Sequence, residues 1–225
     1  PPGSRSIIGT RWTKVVSCVM RIFDISMPIH PDMPVYKERE EKRPQFTITA
    51  DYPSHGVRET RIGLDLHTGT HIDAPLHMVE DGAGVEAYRL ADLITSCKVL
   101  DLTSVTEAIR REDLQHLAIV AGDFVLFKTR NSQRPDFDFN FVYLAADAAR
   151  YLAELGVRGV GFDALGIERN QPGHETHKIL FAKKIIIIEG LRLGPVPPGE
   201  YRLIAAPLAI QGVEAAPARV LLIQD

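Results

Sequence analysis

Alternating apolar and polar positions predict several short β-strands along the chain. The clearest case is residues 60–67, where Ile62, Leu64 and Leu66 share one face and Arg61 and Asp65 the other. This alternation predicts a half-buried strand. Other short runs rich in β-branched and aromatic residues are bounded by glycine or proline and predict further strands. These runs are residues 21–26, 46–49, 98–102, 124–128, 158–162, 184–188, 201–205 and 219–223.

Helical periodicity is less frequent than strand alternation. Residues 143–155 carry apolar side chains at helical spacing, and Gly156 follows them as the predicted C-cap. Residues 107–117 and 176–182 predict two shorter helices. Because the predicted strands outnumber the predicted helices, the sequence indicates the α/β class with a single mixed-sheet domain.

Length and composition narrow the class of protein further. The 225 residues, 45% of them hydrophobic, suffice for one buried core. A formal net charge of -3 gives no strongly basic surface for nucleic acid or anionic lipid. Two cysteines without a CxxC pair indicate neither a disulfide framework nor a thiolate zinc finger. We therefore expect a small-molecule partner, no nucleic-acid or membrane partner, and a cytoplasmic location.

The first residues differ from the rest of the chain. Residues 1–19 carry Arg5, Arg11 and Lys14 around a short apolar stretch, without a long hydrophobic region or a clear cleavage site. We expect no signal peptide there. Since Met20 directly precedes the first predicted strand, residues 1–19 are interpreted as an N-terminal extension, native or added by cloning, and residues 20–225 as the single domain.

Three imidazoles and one carboxylate fall within eleven residues, at His67, His71, Asp73 and His77. Such ligands suit Zn²⁺, Mn²⁺ or Fe²⁺, and the absence of thiolates argues against a purely structural cysteine site. A carboxylate has two oxygens and can bridge two cations. The cluster therefore predicts one mononuclear site or part of a dinuclear one.

The backbone around this cluster is predicted to be extended. On a helix His67 and His71 would share one face, as in HExxH proteases. However, Gly69 between two threonines and the nearby Pro75 favour a strand that ends at His67 and a turn after it. In an extended segment His71 and Asp73, two residues apart, project to the same side.

Further candidate groups lie far downstream. Glu189 follows four isoleucines, where a buried carboxylate is costly unless it is paired or bound to a cation; the alternative is a solvated strand end. Asp163 ends another predicted strand. His177 opens a short predicted helix and is a candidate general acid or base, the alternative being a surface histidine. His174 is more simply explained as a surface residue.

The run from His67 to His77 resembles the signature of cyclase-family metal-dependent hydrolases, which include bacterial kynurenine formamidases and isatin hydrolase. It reads His-x-Gly-Thr-His-x-Asp-x-Pro-x-His, and the resemblance extends over nearly everything after Met20. It implies a swivelling β/β/α domain that assembles as a homo-oligomer, a dimer or tetramer.

The same resemblance implies roles for the candidate residues. His67, His71 and Asp73 would bind one cation, with Asp73 bridging to a second one held by His77 and Glu189. The ions would be Zn²⁺ or Mn²⁺, one or two per subunit. His177, which precedes Lys-Ile-Leu and stands twelve residues before Glu189, corresponds to a histidine that acts in proton transfer.

The expected activity is hydrolysis of an amide, as in an arylformamidase of tryptophan catabolism that converts N-formylkynurenine to kynurenine and formate. A cation lowers the pKa of water to about 7 and polarises the carbonyl, and His177 would protonate the departing amine. Kynurenine formamidases carry an aromatic pair or Trp and then Pro-Gly-Asp in the early loop, where this chain has Met33-Pro-Val-Tyr-Lys-Glu. Tyr36 or Phe46 could line an aryl pocket, although Phe46 is expected in the core.

Three other functions are compatible with the same residues. An isatin-like cyclic amide hydrolase would use this metal site with a different pocket. A metal-dependent cyclase or dehydratase would use the cation as a Lewis acid without consuming water. A non-enzymatic metal-binding protein would show saturated coordination. Serine nucleophile chemistry is not expected, because the sequence has no Gly-x-Ser-x-Gly motif.

Overall fold

The computed structural model describes residues 20–224, so the expected extension of residues 1–19 lies outside the described residues. Twelve strands and five short helices occur in this range. In chain order they are β1 Arg21–Asp24, β2 Gln45–Ala50, α1 Tyr52–His55, β3 Glu59–Gly63, β4 His71–Asp73, α2 Leu90–Leu93, β5 Ile94–Asp101, β6 Ala108–Ile109, α3 Arg111–Leu114, β7 Phe124–Lys128, β8 Tyr143–Leu144, α4 Ala146–Leu155, β9 Gly159–Phe162, α5 Glu175–Ala182, β10 Ile186–Glu189, β11 Gly199–Pro207 and β12 Ala215–Gln224.

Eight strands form one mixed sheet, in the order β1-β12-β11-β5-β7-β9-β10-β4. Strands β5, β7, β9 and β10 are parallel to one another, and the remaining neighbours are antiparallel. The long strand β12 also pairs with β4, which closes the sheet into a barrel. The single mixed-sheet α/β domain predicted from the sequence is confirmed.

Both faces of the parallel strands are buried. Along β7, Phe124 and Leu126 point into the barrel interior, while Val125 and Phe127 pack in a second layer with residues of α4 and α5. Because helices cover the outer face and the barrel closes on the inner one, the strand is apolar at four successive positions.

Strand β9 contributes glycines where its neighbour contributes large side chains. A Cβ atom added to Gly159 would lie 2.2 Å from the Phe124 ring, and one added to Gly161 would lie 2.3 Å from Leu126. The glycines therefore leave the space that the β7 side chains fill. Gly159-Val-Gly-Phe is thus a tightly packed strand, within the range of residues 158–162 that the sequence predicted as a strand.

Two of the three predicted helices change in the structure. The helix predicted at 143–155 is α4, which ends at Gly156 with a φ of 77° as expected, but its first residues form β8. The helix predicted at 107–117 is wrong: residues Ala108–Ile109 pair with β8, which leaves only the single turn α3. The helix predicted at 176–182 is confirmed as α5. All helices within residues 20–224 are too short or too polar to traverse a bilayer.

The strand predicted at residues 60–67 is present as β3, but it is shorter than predicted and its predicted half-burial is wrong. Strand β3 ends at Gly63, pairs only with β2, and is exposed at every residue. Phe46 of β2 is 40% exposed and is not a core residue. Strands β2 and β3 form a two-stranded ribbon that is separate from the barrel sheet. The alternation of apolar and polar residues along β3 therefore does not correspond to burial of one face. After β3 ends at Gly63, the chain turns and leads into β4 at His71.

Candidate metal centre

Strand β4 consists of three buried residues and holds the centre of the predicted cluster. It lies between β10 and β12, with Ile72 packed in the barrel core. His71 and Asp73 project to the other side, where His71 Nε2 lies 3.3 Å from Asp73 Oδ1. The prediction that these two side chains share one side of an extended segment is confirmed.

The register of β10 against β4 brings Glu189 to the same place. Glu189 is paired with His71 in the antiparallel ladder, and its Oε2 lies 3.3 Å from His71 Nε2. Glu189 is 4% exposed, so it is not a solvated strand end. Its other oxygen, Oε1, accepts the backbone N–H of Ile167 at 2.6 Å.

The backbone approaches itself closely beside this cluster. Gly190 has a φ of 70°, and a Cβ atom there would lie 2.2 Å from the carbonyl oxygen of Gly69. The Thr70 hydroxyl donates to the Gly190 carbonyl at 2.6 Å and accepts the N–H of Met27 at 2.7 Å. Gly69 itself has a φ of 63°. These contacts fix the loop before β4 against the end of β10.

The charged groups of the cluster determine each other's protonation. Burial disfavours the charged form of His71, but contacts with the Asp73 and Glu189 carboxylates together outweigh burial and raise the pKa of His71 to about 10. Burial opposes ionisation of Glu189 as well, yet contacts with His177 and His71 lower its pKa to about 2. The pKa of Asp73 is held well below its usual range against burial by His71. Both carboxylates are therefore ionised at neutral pH.

Three buried polar atoms of this cluster fit a cation. His71 Nδ1 lies 2.9 Å from the Gly69 carbonyl oxygen, which can only accept, so Nδ1 carries a proton. Nε2 faces the carboxylates, where a bound cation would take the place of the second proton that they favour. His71 Nε2 and both carboxylate oxygens of Asp73 are buried and, among the described residues, have no hydrogen-bond partner. Such atoms are costly unless they are satisfied, and a divalent cation satisfies imidazole and carboxylate together.

His67 and His77 lie on the cleft side of Asp73. His67 Nδ1 is 3.0 Å from Asp73 Oδ1, and the centroids of the His67 and His77 rings are 4.2 Å apart. His77 ends the short 3₁₀ turn Pro75–His77. Burial lowers the pKa of His77, which keeps its imidazole neutral at neutral pH.

His177 approaches the cluster from the first turn of α5. Its Nε2 lies 3.6 Å from Asp73 Oδ2 and 3.5 Å from Glu189 Oε1. Its Nδ1 lies 2.5 Å from Glu168 Oε2, and the other oxygen of Glu168 accepts the N–H of Thr176 at 2.7 Å. His177 is thus a buried residue held by a carboxylate. Glu168 was not predicted as a site residue from the sequence, because it lies in an irregular loop without a recognisable spacing.

The six residues selected from the sequence come together in one region. The groups with nitrogen or oxygen atoms within 4.8 Å of one another are His71, Asp73 and Glu189; His67, Asp73 and His77; and Glu168, His174 and His177. Glu189 thus groups with His71, whereas the family resemblance pairs it with His77. His174 is exposed, as expected. Asp163 stands outside these groups and accepts hydrogen bonds from Thr129 and Ser132.

The cluster opens on a cleft of about 590 Å³. This volume is ordinary for a site that takes a small molecule. We call the lining residues within 36–42 the first rim and those within 165–174 the second rim. His67, His77, His177 and Glu189 of the cluster line the same cleft. Tyr36 is part of the first rim, where its ring packs edge-on against Phe137 at 5.4 Å. The site thus combines buried side chains that suit a bound cation with a cleft that a substrate can enter.

Several known proteins are similar to this chain in sequence or in fold. Residues 23–169 match the Cyclase family, described as "Putative cyclase". A kynurenine formamidase of Salinibacter ruber is 33% identical over 206 residues, which cover 90% of this chain and 97% of that protein. A structure described as a predicted metal-dependent hydrolase from Bacillus stearothermophilus is 55% identical, with a TM-score of 0.85 and coverage of 92% and 100%. Isatin hydrolase A from Labrenzia aggregata, bound to benzyl benzoate, is 25% identical, with a TM-score of 0.78 and coverage of 91% and 93%. This chain belongs to the cyclase family of metal-dependent hydrolases, as the run from His67 to His77 indicated.

Proposed function

We propose that this protein is a metal-dependent amide hydrolase, an arylformamidase that cleaves N-formylkynurenine to kynurenine and formate. The observation that carries the proposal is the buried set of His71, Asp73 and Glu189, whose ligand atoms face one another beneath an open cleft. The similarity to a kynurenine formamidase over 90% of the chain supports the substrate class. A small-molecule substrate, homo-oligomeric assembly and a cytoplasmic location are parts of the same proposal.

The donor set supports Zn²⁺ or Mn²⁺, with one or two ions per subunit. When bound, such a cation supplies Lewis acidity that polarises a carbonyl and lowers the pKa of water. The chain itself holds His71 in the correct tautomer through Gly69 and keeps both carboxylates ionised. The barrel around β4 excludes water from the far side of the cluster.

The distances favour an exchange of the two roles that the resemblance gives to His77 and His177. His177 Nε2 faces Asp73 and Glu189 at nearly equal distances, and its Nδ1 is fixed by Glu168. A carboxylate behind the second ring nitrogen is the usual support of a metal-binding histidine. His77 contacts the cleft and is neutral, which suits a group that takes up a proton and returns it to the departing amine.

Metal analysis of two alanine variants tests this exchange. We expect His177→Ala to lower the metal content per chain, because a cation ligand is lost. His77→Ala should keep the wild-type metal content and lower kcat by about 10²-fold or more, the usual contribution of a general acid or base. The reverse pattern would restore the assignment implied by the resemblance. Unchanged metal content in both variants would contradict ligation by His177.

The activity is tested by assay of the purified protein loaded with Zn²⁺ or Mn²⁺. We expect release of formate and kynurenine from N-formylkynurenine, with one oxygen of formate taken from ¹⁸O-labelled water. Lack of turnover with either ion would contradict the arylformamidase proposal. A product without the label would indicate a cyclase or dehydratase, which consumes no water.

A second candidate is an isatin-like cyclic amide hydrolase. It is supported by the similarity to isatin hydrolase A over 91% of this chain, with a TM-score of 0.78. Both reactions need the same cluster and differ in the rest of the cleft. Turnover of isatin without turnover of N-formylkynurenine would favour this candidate.

A further inference from the structure

One rim of the cleft carries a concentration of positive charge. Lys37, Arg39 and Lys42 all line it, although the chain as a whole has a net charge of -3. Lys42 is neutralised by Asp65, whose Oδ2 lies 2.9 Å from its ammonium group. Within residues 20–224, no carboxylate lies within ion-pair distance of Lys37 or Arg39. Two cations of this rim are thus available to a bound molecule.

The carboxylates that line the cleft already have partners within the protein. Glu168 and Glu189 are its lining carboxylates, and each is about 4% exposed and in contact with His177. The exposed charge of the cleft is consequently positive. A substrate with an anionic group would be attracted to this rim, whereas a neutral one would gain nothing from it.

Both rims contain non-glycine residues in the left-handed backbone conformation, which is uncommon in ordinary loops. Lys37 and Glu38 are consecutive residues with φ values of 58° and 53°. Asn170 and His174 in the opposite rim have φ values of 57° and 50°. Among residues 20–224, only Lys184 is another non-glycine residue with positive φ. Each such conformation costs on the order of 1 kcal/mol or more and is characteristic of ligand-binding segments.

The Lys37 side chain lies over the ring of the neighbouring Tyr36. Its Nζ lies 5.3 Å from the centroid of the Tyr36 ring, within cation–π distance. The Tyr36 ring lines the same cleft as the metal cluster. An aromatic ring and an ammonium group are therefore presented together in a cleft that residues of the metal cluster also line.

We propose that Lys37 and Arg39 determine specificity by binding a carboxylate on the substrate, at the end remote from the amide that is cleaved. The substrate class is then a carboxylate-bearing N-formyl arylamine, with its ring against Tyr36, and not a neutral cyclic amide. Arginine suits this role because its planar guanidinium can hold both oxygens of a carboxylate. The inference rests on the proposed amide hydrolase function.

The test compares a substrate that carries a carboxylate with one that lacks it. The metal-loaded wild type and the variants Lys37→Gln, Arg39→Gln and the double variant are assayed with N-formylkynurenine and with formanilide, which lacks a carboxylate. We expect kcat/KM for N-formylkynurenine to fall about 10- to 100-fold in the double variant, mainly through KM. The value for formanilide should stay within about twofold, because no charged contact is lost. Lys37→Arg, which keeps the charge, should retain activity on N-formylkynurenine.

Arg61→Gln is the matched control, because Arg61 is an exposed cation of the ribbon strand β3. It should leave both substrates unaffected. An equal loss for both substrates in the Lys37 and Arg39 variants, or no loss for either, would overturn the specificity proposal while the enzyme remains an amide hydrolase. A wild type that cleaves neither substrate would instead overturn the proposed function.

Discussion

We expect His71→Ala to remove most of the bound metal and to lower turnover by well over a hundredfold. Replacing a residue that merely supports a metal ligand already costs about 10- to 100-fold in affinity or activity. His71 is fully buried, and its Nε2 lies 3.3 Å from both Asp73 and Glu189. Its loss removes one imidazole ligand and leaves two ionised carboxylates side by side in a buried site.

Elemental analysis and the formate assay measure this effect on the same preparation. His116→Ala serves as a control, because His116 is exposed and outside the cluster. A His71→Gln variant, closer in size, separates loss of the ligand from collapse of the buried site. A His71→Ala protein that is fully active without bound metal would refute the proposed metal centre.

Gly190→Ala should destabilise the protein by about 2–5 kcal/mol and lower its metal content. The left-handed backbone conformation alone costs an alanine roughly 1–2 kcal/mol. In addition, the new Cβ would lie 2.2 Å from the Gly69 carbonyl oxygen, and relieving such overpacking costs about 1–3 kcal/mol more. Since the same carbonyl orients His71, a displaced Gly69 also disturbs a metal ligand.

Gly56→Ala is the control for this effect. Gly56 has a φ of 69°, close to the 70° of Gly190, but an added Cβ would meet nothing within 4 Å. The Gly56→Ala protein should therefore lose only the stability that the left-handed backbone conformation costs an alanine. Denaturant unfolding of both variants, with the metal concentration held constant, gives the comparison. An equal loss of stability in the two proteins would mean that the contact with Gly69 has no energetic consequence.

The sequence predicted those parts of the site that depend on local chemistry. His71 and Asp73 were placed on one side of an extended segment by their spacing and by Pro75, and β4 has that geometry. Glu189 was selected because a carboxylate after four isoleucines needs a partner, and it has one in His71. These inferences required no knowledge of distant contacts.

The wrong predictions have non-local causes. Residues 107–117 follow helical spacing, but Ala108–Ile109 pair with a strand more than thirty residues later. The alternation at residues 60–67 suggested burial, yet β3 pairs only with β2 and has no layer to cover it. Glu168 was missed because its role depends on α5, which presents His177 to it. Local patterns carry no information on which element packs on which.

The position of β4 between β10 and β12 also sets the order of events during synthesis. Ala215 of β12 pairs with Asp73, so these partners are separated by 142 residues along the chain. At a synthesis rate of about 5–20 residues per second, roughly 7–28 s pass between the appearance of Asp73 and that of Ala215. During this interval the imidazoles of His67, His71 and His77 are exposed on the nascent chain, because Glu189 and the later barrel strands have not yet been synthesised. The buried ligand set is therefore complete only at the end of biosynthesis, when the C-terminal strands close the barrel.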